Sequence, residues 1–255
     1  MIDILDLDKI KSKCRYPIDI ILFDEIDSTN RYAKSIKKDN ALVITNAQSK
    51  GRGRLGRDFI SSKGKGIYMS ILLKYDKKMM NPALLTCYTG TIVTKVLERL
   101  WGLNPGIKWV NDIYIENKKV CGILVESVIK NNTFDKIIIG IGINVYKQEF
   151  PIELVNKVTS LEDKVEVNVS RNDIISAILN EFFDSFNQPF MDYYRKHLIL
   201  KDKVVEILEQ NRTYYAKVLD VNDNGELVVD DNGLIKTLYT GEVTRIKMEN
   251  KQVWT

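Results

Sequence analysis

The stretch "GRGRLGR", Gly51 to Arg57, constrains the fold of this chain most, because of what stands on either side of it. Its glycines satisfy G-x-G-x-x-G. In a dinucleotide-binding fold that spacing joins a strand to a helix whose N-terminus holds a pyrophosphate. The preceding "ALVITNAQ" is a short apolar strand, as that pattern requires. The following "DFISSKGKGIYMSILLKY" has a Ser-Ser pair, two more glycines and then an Ile/Leu/Tyr-rich run, which predicts a second strand and no helix. The same missing helix excludes a P-loop, which also needs Lys-Ser/Thr where Arg57-Asp58 stand. A loop between two strands with three glycines and three arginines reads instead as an anion clamp. Glycine lets the backbone approach a ligand and offer its N–H groups, and arginine supplies forked, charge-assisted donors. Such a loop is expected to order on an anion, because its like charges repel when it is empty. A solvated basic turn and an RNA-binding Arg/Gly segment are the competing readings; the latter lacks interleaved aromatics.

Around this loop the pattern is mixed. "IDIILF" predicts a strand, and Ser28 or Thr29 of "DSTN" caps a helix after it. "NPALLTCYTGTIVTKVLERLWG" predicts a helix with Pro82 in its first turn and Gly102 as its stop. "GIKWVNDIYI" and "KKVCGILVES" read as a hairpin turning at Glu116-Asn117, and "FDKIIIGIGINV" as a third strand. "SRNDIISAILNEFFDSF" is an amphipathic helix with a capping-box-like start at Ser170 and Asp173. "FMDYYRKHLIL" predicts a last helix ending near Lys201, with His197 on its surface. From Lys203 the texture changes to short strands at regular spacing, with turns at Asn224-Gly225 and Asn232-Gly233. The expected fold is α+β: a mixed-sheet domain with packed helices over 1–201, then a small β-barrel over 202–255.

Composition limits the chemistry. Lys+Arg is 38 against Asp+Glu of 34, an excess too small for a general nucleic-acid binder. The one histidine, His197, excludes a His-based triad or a multi-His metal site. Three scattered cysteines and no basic-then-apolar leader predict a soluble, cytoplasmic protein, and no apolar run reaches the ~18 residues of a membrane span. Function must therefore rest on Lys, Arg, Asp, Asn and backbone groups. "KWVNDIYIENKKVCGILVE" concentrates four of these, Lys108, Asn111, Asp112 and Lys119, on one hairpin. Lys118 reads as a turn charge, whereas Lys119 borders the apolar "VCGILVE".

The order "DSTN", "GRGRLGR", "KWVND", "KKVCGILVE", "GIGINV", with "TGEV" near the C-terminus, resembles the biotin–protein ligases along nearly the whole chain. The resemblance implies a catalytic domain related to the lipoate ligases and class II synthetases, followed by an SH3-like barrel. It implies a biotin–[acetyl-CoA-carboxylase] ligase activity with ATP and Mg²⁺: biotin becomes biotinyl-5′-AMP, and a lysine of a biotin carboxyl carrier domain then displaces AMP. Such chemistry needs no protein nucleophile, but it needs cations against a carboxylate and a triphosphate together, and a loop closed over the adenylate to exclude water. The family pattern places Ser28, Thr29, Asn30 and Gln48 at the biotin ureido group. It places Arg52, Gly53 and Arg54 at biotin and adenylate, with Arg54 on phosphate, and Lys119 at the carboxylate and phosphate. Gly122 lies under the biotin ring. Arg57, Phe59, Lys108, Asn111 and Asn144 face the nucleotide. Arg54, Lys108, Asp112 and Lys119 are the catalytic set, Asp112 toward the acceptor lysine or as an ion-pair partner. No direct protein ligand for the metal is assigned.

The chain departs from the pattern in places. Val110 stands where the family has proline, predicting a looser turn. Phe59 replaces a tryptophan that stacks on adenine. Leu55 replaces an arginine and is expected to point away from the ligand, and Cys121 is expected to be a buried thiol. About twenty-five residues precede "DSTN", too few for a winged helix, so no DNA-binding role is expected of this short form. A homodimer is compatible with the resemblance. A lipoate or octanoate ligase and a non-enzymatic RNA-binding module are the alternative functions; the polar "STN" and Gln48 favour biotin over lipoate.

Overall fold

The computed structural model describes residues 3–76, 79–209, 212–239, 241–247 and 252–254. The first two hundred residues form α1 (Leu7–Lys13), β1 (Asp19–Phe23), α2 (Thr29–Ser35), β2 (Ala41–Thr45), β3 (Gly66–Lys74), α3 (Pro82–Trp101), β4 (Gly106–Lys108), β5 (Asp112–Ile115), β6 (Lys118–Lys130), β7 (Thr133–Asn144), α4 (Arg171–Asp184) and α5 (Met191–Lys196). Then follow β8 (Val204–Glu209), β9 (Arg212–Val221), β10 (Leu227–Asp231), β11 (Leu234–Leu238), β12 (Glu242–Lys247) and β13 (Gln252–Trp254).

The seven strands β1–β7 make one sheet, in the order β1-β2-β3-β7-β6-β5-β4. β1 and β2 are parallel and every other pair is antiparallel. Strand alternation gives this sheet two unlike faces. Ile67, Met69 and Ile71 of β3, Ile139, Ile141 and Ile143 of β7, and Cys121 and Ile123 of β6 join the main core with α3 and α4. Their alternate neighbours, Ser70, Gly140, Gly142, Gly122 and Leu124, lie on the other face. There α2 covers one end through a small cluster of Ala33, Val43, Leu72 and Ile138. The rest of that face stays open as a floor.

The helix ends follow local chemistry. Ser28 caps α2, its hydroxyl accepting from the Arg31 N–H. Asn81 caps α3, with Pro82 in the first turn, and Gly102 ends it in the left-handed region at φ 63°. Ser170 caps α4. The β5–β6 turn puts Glu116 and Asn117 at φ 48° and 68°, the pair of positive values that a tight hairpin turn requires.

Several expectations are corrected. α1 was not legible in the alternating "DILDLDKI"; Asp6 caps it, and it packs on α4. "GIKWVNDIYI" is two strands, β4 and β5, separated by residues 109–111. The turn between them is tight, not loose, since Lys108 and Asp112 are register partners and Val110 is buried. α5 stops at Lys196, because His197 leaves the helix and Ile107 and Ile199 form backbone bonds beyond it. His197 is not on the surface: it is 8% exposed, stacks on Tyr193 at 4.2 Å and places Nε2 2.9 Å from Glu98 Oε1.

The second sheet, β11-β10-β9-β8-β12-β13, is antiparallel and fits an SH3-like fold. Its β9–β10 turn docks against the first unit. Trp109 Nε1 donates to the Gly225 carbonyl at 3.0 Å, and a Cβ on Gly225 would come within 3.0 Å of the Leu84 Cα. Among the described residues, no helix is long and apolar enough to cross a membrane.

Arg171, at the start of α4, is wholly buried and ties the N-terminal segment to the sheet. It donates to Asp3 Oδ1 at 2.6 Å, to the Asp3 carbonyl at 2.7 Å and to Asn46 Oδ1 at 2.9 Å. Its loss would leave buried acceptors unpaired, so Arg171→Ala is expected to cost about 3–5 kcal/mol in chemical denaturation.

Candidate active site

The open floor is built from the smallest side chains of three adjacent strands. Gly142 on β7 is the register partner of Gly122 on β6, and Gly140 is the partner of both Ser70 on β3 and Leu124 on β6. A Cβ on Gly142 would lie 2.6 Å from the Phe59 ring, and one on Gly140 would collide with Asn30 Oδ1. The glycines therefore let Phe59 and Asn30 lie flat on the sheet.

Past the end of β1, the segment 24–28 runs beside residues 46–50. Ile26 N–H bonds to the Ala47 carbonyl at 3.2 Å and Ser49 N–H to the Ile26 carbonyl at 3.0 Å. This pairing brings "STN" to Gln48, although the two lie 19 residues apart. Gln48 Oε1 accepts from the Thr29 N–H at 2.9 Å, and its Nε2 donates to Ser61 Oγ at 2.8 Å. A cavity of about 50 Å³ opens here, lined by Ser28, Thr29, Asn30, Gln48, Gly122 and Gly142 among others.

The Gly/Arg loop closes on itself: Phe59 N–H bonds to the Gly51 carbonyl at 3.0 Å and Gly53 N–H to the Arg57 carbonyl at 2.8 Å. The loop's arginines also meet acceptors from elsewhere in the chain. Arg54 donates to Asn111 Oδ1 and to the Gly241 carbonyl, each at 3.2 Å, and Arg57 pairs with Glu242 at 2.5 Å. Gly241 and Glu242 belong to "TGEV"; Thr240 of that motif lies outside the described residues. Arg52 is exposed, and Leu55, expected to point away from the ligand, is 69% exposed at the rim of the second cavity described below.

Beyond the loop is a second cavity of about 210 Å³, lined by Lys108, Asp112, Asn144, Lys157, Phe150 and Glu242 among others. Lys119 and Asp112 form an ion pair at 2.8 Å, and Asn111 Nδ2 donates to Asp112 Oδ1 at 2.9 Å and to the Ile123 carbonyl at 3.1 Å. Asn144 donates to the Thr159 carbonyl at 3.1 Å and so pins the segment after β7 along the cavity. Burial pushes the Lys108 ammonium down to about 8; the nearby Asp112 carboxylate opposes that shift. Burial pushes the Cys121 thiol up, as its place in the core requires.

Gly53, Arg54, Phe59, Asn111 and Lys119 line both cavities. A ligand spanning the two would meet both Arg54 and Lys119. Residues 22–144 match the model of the biotin/lipoate A/B protein ligase family. The chain is 31% identical over 237 residues to the bifunctional ligase/repressor BirA of Bacillus subtilis, covering 88% of this chain and 73% of the relative.

The chain belongs to the biotin/lipoate A/B protein ligase family.

Another family member, the biotin–[acetyl-CoA-carboxylase] ligase of Mycobacterium tuberculosis, is 26% identical, covering 87% of this chain and 85% of that one. The biotin protein ligase of Aquifex aeolicus, solved in complex with biotin and ATP, superposes with a TM-score of 0.76 at 28% identity, covering 88% of this chain and 97% of that one.

All the residues expected at the site line one or both cavities, but two play altered parts. Phe59 lies on the Gly122–Gly142 pair at the junction, not out over the second cavity alone. Asn30 has both ends of its amide engaged inside the protein: Nδ2 donates to Glu126 Oε2 at 2.8 Å and Oδ1 accepts from Ser70 Oγ at 2.6 Å. The sequence reading missed Ser61, Ser70, Glu126, Gly140 and Gly142. The alternation of Ile with Gly in "IIIGIGINV" marks the two glycines as a separate face. It also missed Phe150 and Lys157, which lie in a segment without periodicity.

Lys108 gives a direct check. Competitive amine labelling is expected to titrate it with a midpoint near 8. Asp112→Asn removes the group that favours its cation and should move the midpoint lower.

Proposed function

We propose that this chain is an ATP-dependent biotin–protein ligase with its catalytic unit over 1–201 and an SH3-like unit over 202–255. The observation that carries the reading is the junction of two unlike cavities at Arg54 and Lys119. One offers hydrogen-bonding groups suited to a ureido head, Ser28, Thr29 and Gln48. The other gathers Arg57, Lys108 and Lys119 around space for a nucleotide. A lipoyl or octanoyl chain has no polar head to satisfy Thr29 and Gln48, and leaving them dry would cost about 1–3 kcal/mol per group.

In the first step a biotin carboxylate oxygen attacks the α-phosphorus of ATP. The bond from that phosphorus to the bridging oxygen breaks, and pyrophosphate leaves. Lys119 and Arg54 screen the carboxylate from the phosphate and stabilise charge on the pentavalent phosphorus. Lys108, Arg57 and Asn111 hold the phosphates, while Asn144 and Phe59 border the nucleotide. Gly53 and Arg52 carry the loop over the adenylate and keep water from it. Mg²⁺ bound to the triphosphate would supply further charge screening. Asp112 and Asn111 present a carboxylate and an amide at that cavity, which fits an ion held mainly by phosphate and water.

In the second step the amine of an acceptor lysine, on a biotin carboxyl carrier domain, attacks the acyl carbon. The bond from the acyl carbon to the phosphate oxygen breaks, AMP leaves, and the amine's proton passes to the Asp112 carboxylate and from there to solvent. Asp112 holds Lys119 in place through the ground-state ion pair and is released toward the incoming amine when Lys119 turns to the phosphate. Three free cysteines fit a cytoplasmic setting.

The test is pyrophosphate exchange into ATP. Exchange should require biotin and not proceed with lipoate; exchange with lipoate alone would sink the reading, as would salt-sensitive RNA binding without exchange. Lys119→Ala should lower the first-step rate by about 10²–10³-fold. Because free-enzyme Lys108 loses its charge above a pH of about 8, kcat/KM for ATP should fall as pH rises through that value. Lys108→Arg should remove that alkaline fall.

A further inference from the structure

A third cavity, an open groove of about 700 Å³, is larger than either of the other two. The Gly/Arg loop, Pro82 and Ala83 in the first turn of α3, residues 123–126 of β6 and Tyr239 of the second unit line it. It shares Arg52 and Leu124 with the first cavity, Arg57 and Asp58 with the second, and Gly53 and Arg54 with both. All three therefore meet at Gly53 and Arg54. With biotin in the first cavity and the nucleotide in the second, the third is the way left open to the bond between them.

The groove is basic. Its lining carries five cations, Arg31, Lys50 and three arginines of the loop, against the two carboxylates of Asp58 and Glu126. That is an excess of three in a chain whose net charge is +4. Lys50 and Arg52 are exposed, and Arg31 is exposed beside Asp27, with which it pairs at 2.7 Å. Two large apolar side chains stand at the rim, Leu55 from the loop and Tyr239 from the second unit, 69% and 70% exposed. Leu55 holds a left-handed backbone at φ 55°, a conformation that costs a leucine energy, and gains no burial by it. Apolar anchors among exposed charges are the composition of a protein-docking surface, and this sign of charge suits an acidic partner. A single-stranded nucleic acid would share the charge, but it stacks on several aromatic rings. Among the described residues, the groove is lined by one, Tyr239.

We propose that this groove receives the acceptor domain. An acidic face of that domain seats on Arg31 and Lys50, its apolar surface meets Leu55 and Tyr239, and its target lysine runs along the groove to Gly53 and Arg54. This rests on the biotin-ligase reading above and adds to it where the acceptor docks and which charge it carries. The cations of the groove oppose an ammonium and favour the free amine, the form that attacks an acyl carbon. The attraction comes from carboxylates elsewhere on the acceptor domain.

The two steps of the reaction separate docking from chemistry. The experiment measures biotin-dependent pyrophosphate exchange, and then transfer to the unbiotinylated carrier domain of an acetyl-CoA carboxylase at several salt concentrations. Arg31→Gln with Lys50→Glu should raise the KM for the carrier domain by about tenfold, flatten its salt dependence and leave exchange within about twofold. Lys9→Gln with Lys11→Glu makes the same change of net charge on α1, away from the groove, and should leave that KM unchanged. Asparagine tolerates the left-handed backbone, so Leu55→Asn should keep the loop and the exchange rate. It should still raise the KM for the carrier domain by about tenfold, with the salt dependence retained. An unchanged KM in either groove variant, or an equal rise in the α1 variant, overturns the docking site and leaves the ligase reading standing on the exchange. Binding of single-stranded RNA that both groove variants abolish, with the KM for the carrier domain unchanged, gives the groove to nucleic acid and also overturns the proposal. Wild-type protein without exchange overturns the ligase reading, and the docking site with it.

Discussion

The site depends on the two unlike faces of one sheet. Over Ile67–Leu73 of β3, Cys121–Val125 of β6 and Ile137–Ile143 of β7, odd-numbered residues drive into the helices and even-numbered residues lie on the opposite face. The inward set is nearly all Ile, Met and Cys, so it secures register strongly: a slip of one residue would bury Ser70, Gly140 and Glu126 in the core and expose isoleucines. The same constraint that stabilises the fold therefore sets the small and polar floor opposite α2. A flat floor is possible only because Gly122, Gly140 and Gly142 fall together on one face of two paired strands.

Charge is arranged against this floor from three directions. The loop after β2 brings Arg54 and Arg57, the β4–β5 turn brings Lys108 and Asn111, and the start of β6 brings Lys119. Each side chain that the contacts describe is held by an acceptor already in the fold: Arg54 by Asn111 and Gly241, Arg57 by Glu242, Lys119 by Asp112. These partners are what a negative ligand would displace. Exchange of one acceptor for another limits the desolvation that Arg54 and Lys119 would otherwise oppose to the binding of a triphosphate.

Much of this was legible in the chain. The strands flanking the Gly/Arg loop excluded both phosphate-binding turns that its spelling suggests. Ser28 or Thr29 and Ser170 announced their helices by capping chemistry, Pro82 and Gly102 marked the ends of a third, Glu116-Asn117 announced a turn, and the change of texture after Lys201 announced the second sheet. What misled was local pattern without its neighbours. His197 looked like a surface residue because the helix that covers it, α3, is a hundred residues away. The engagement of Asn30 with Glu126 was equally hidden, because it crosses 96 positions. α1 was invisible because its stability comes from packing on α4 and not from its own propensity.

The sequence by itself determined which residues could act: a single histidine and scattered cysteines left only arginines, lysines, amides and carboxylates, and the glycines and arginines of residues 51–57 read as an anion clamp. The direction of each hydrogen bond was decided by the tertiary structure alone. A hydroxyl or an amide carries no fixed polarity along the chain; it acquires one when a neighbour that can only accept or only donate is brought against it. Glu126 is such a neighbour: it can only accept, and it meets the Asn30 amide across 96 positions of the chain.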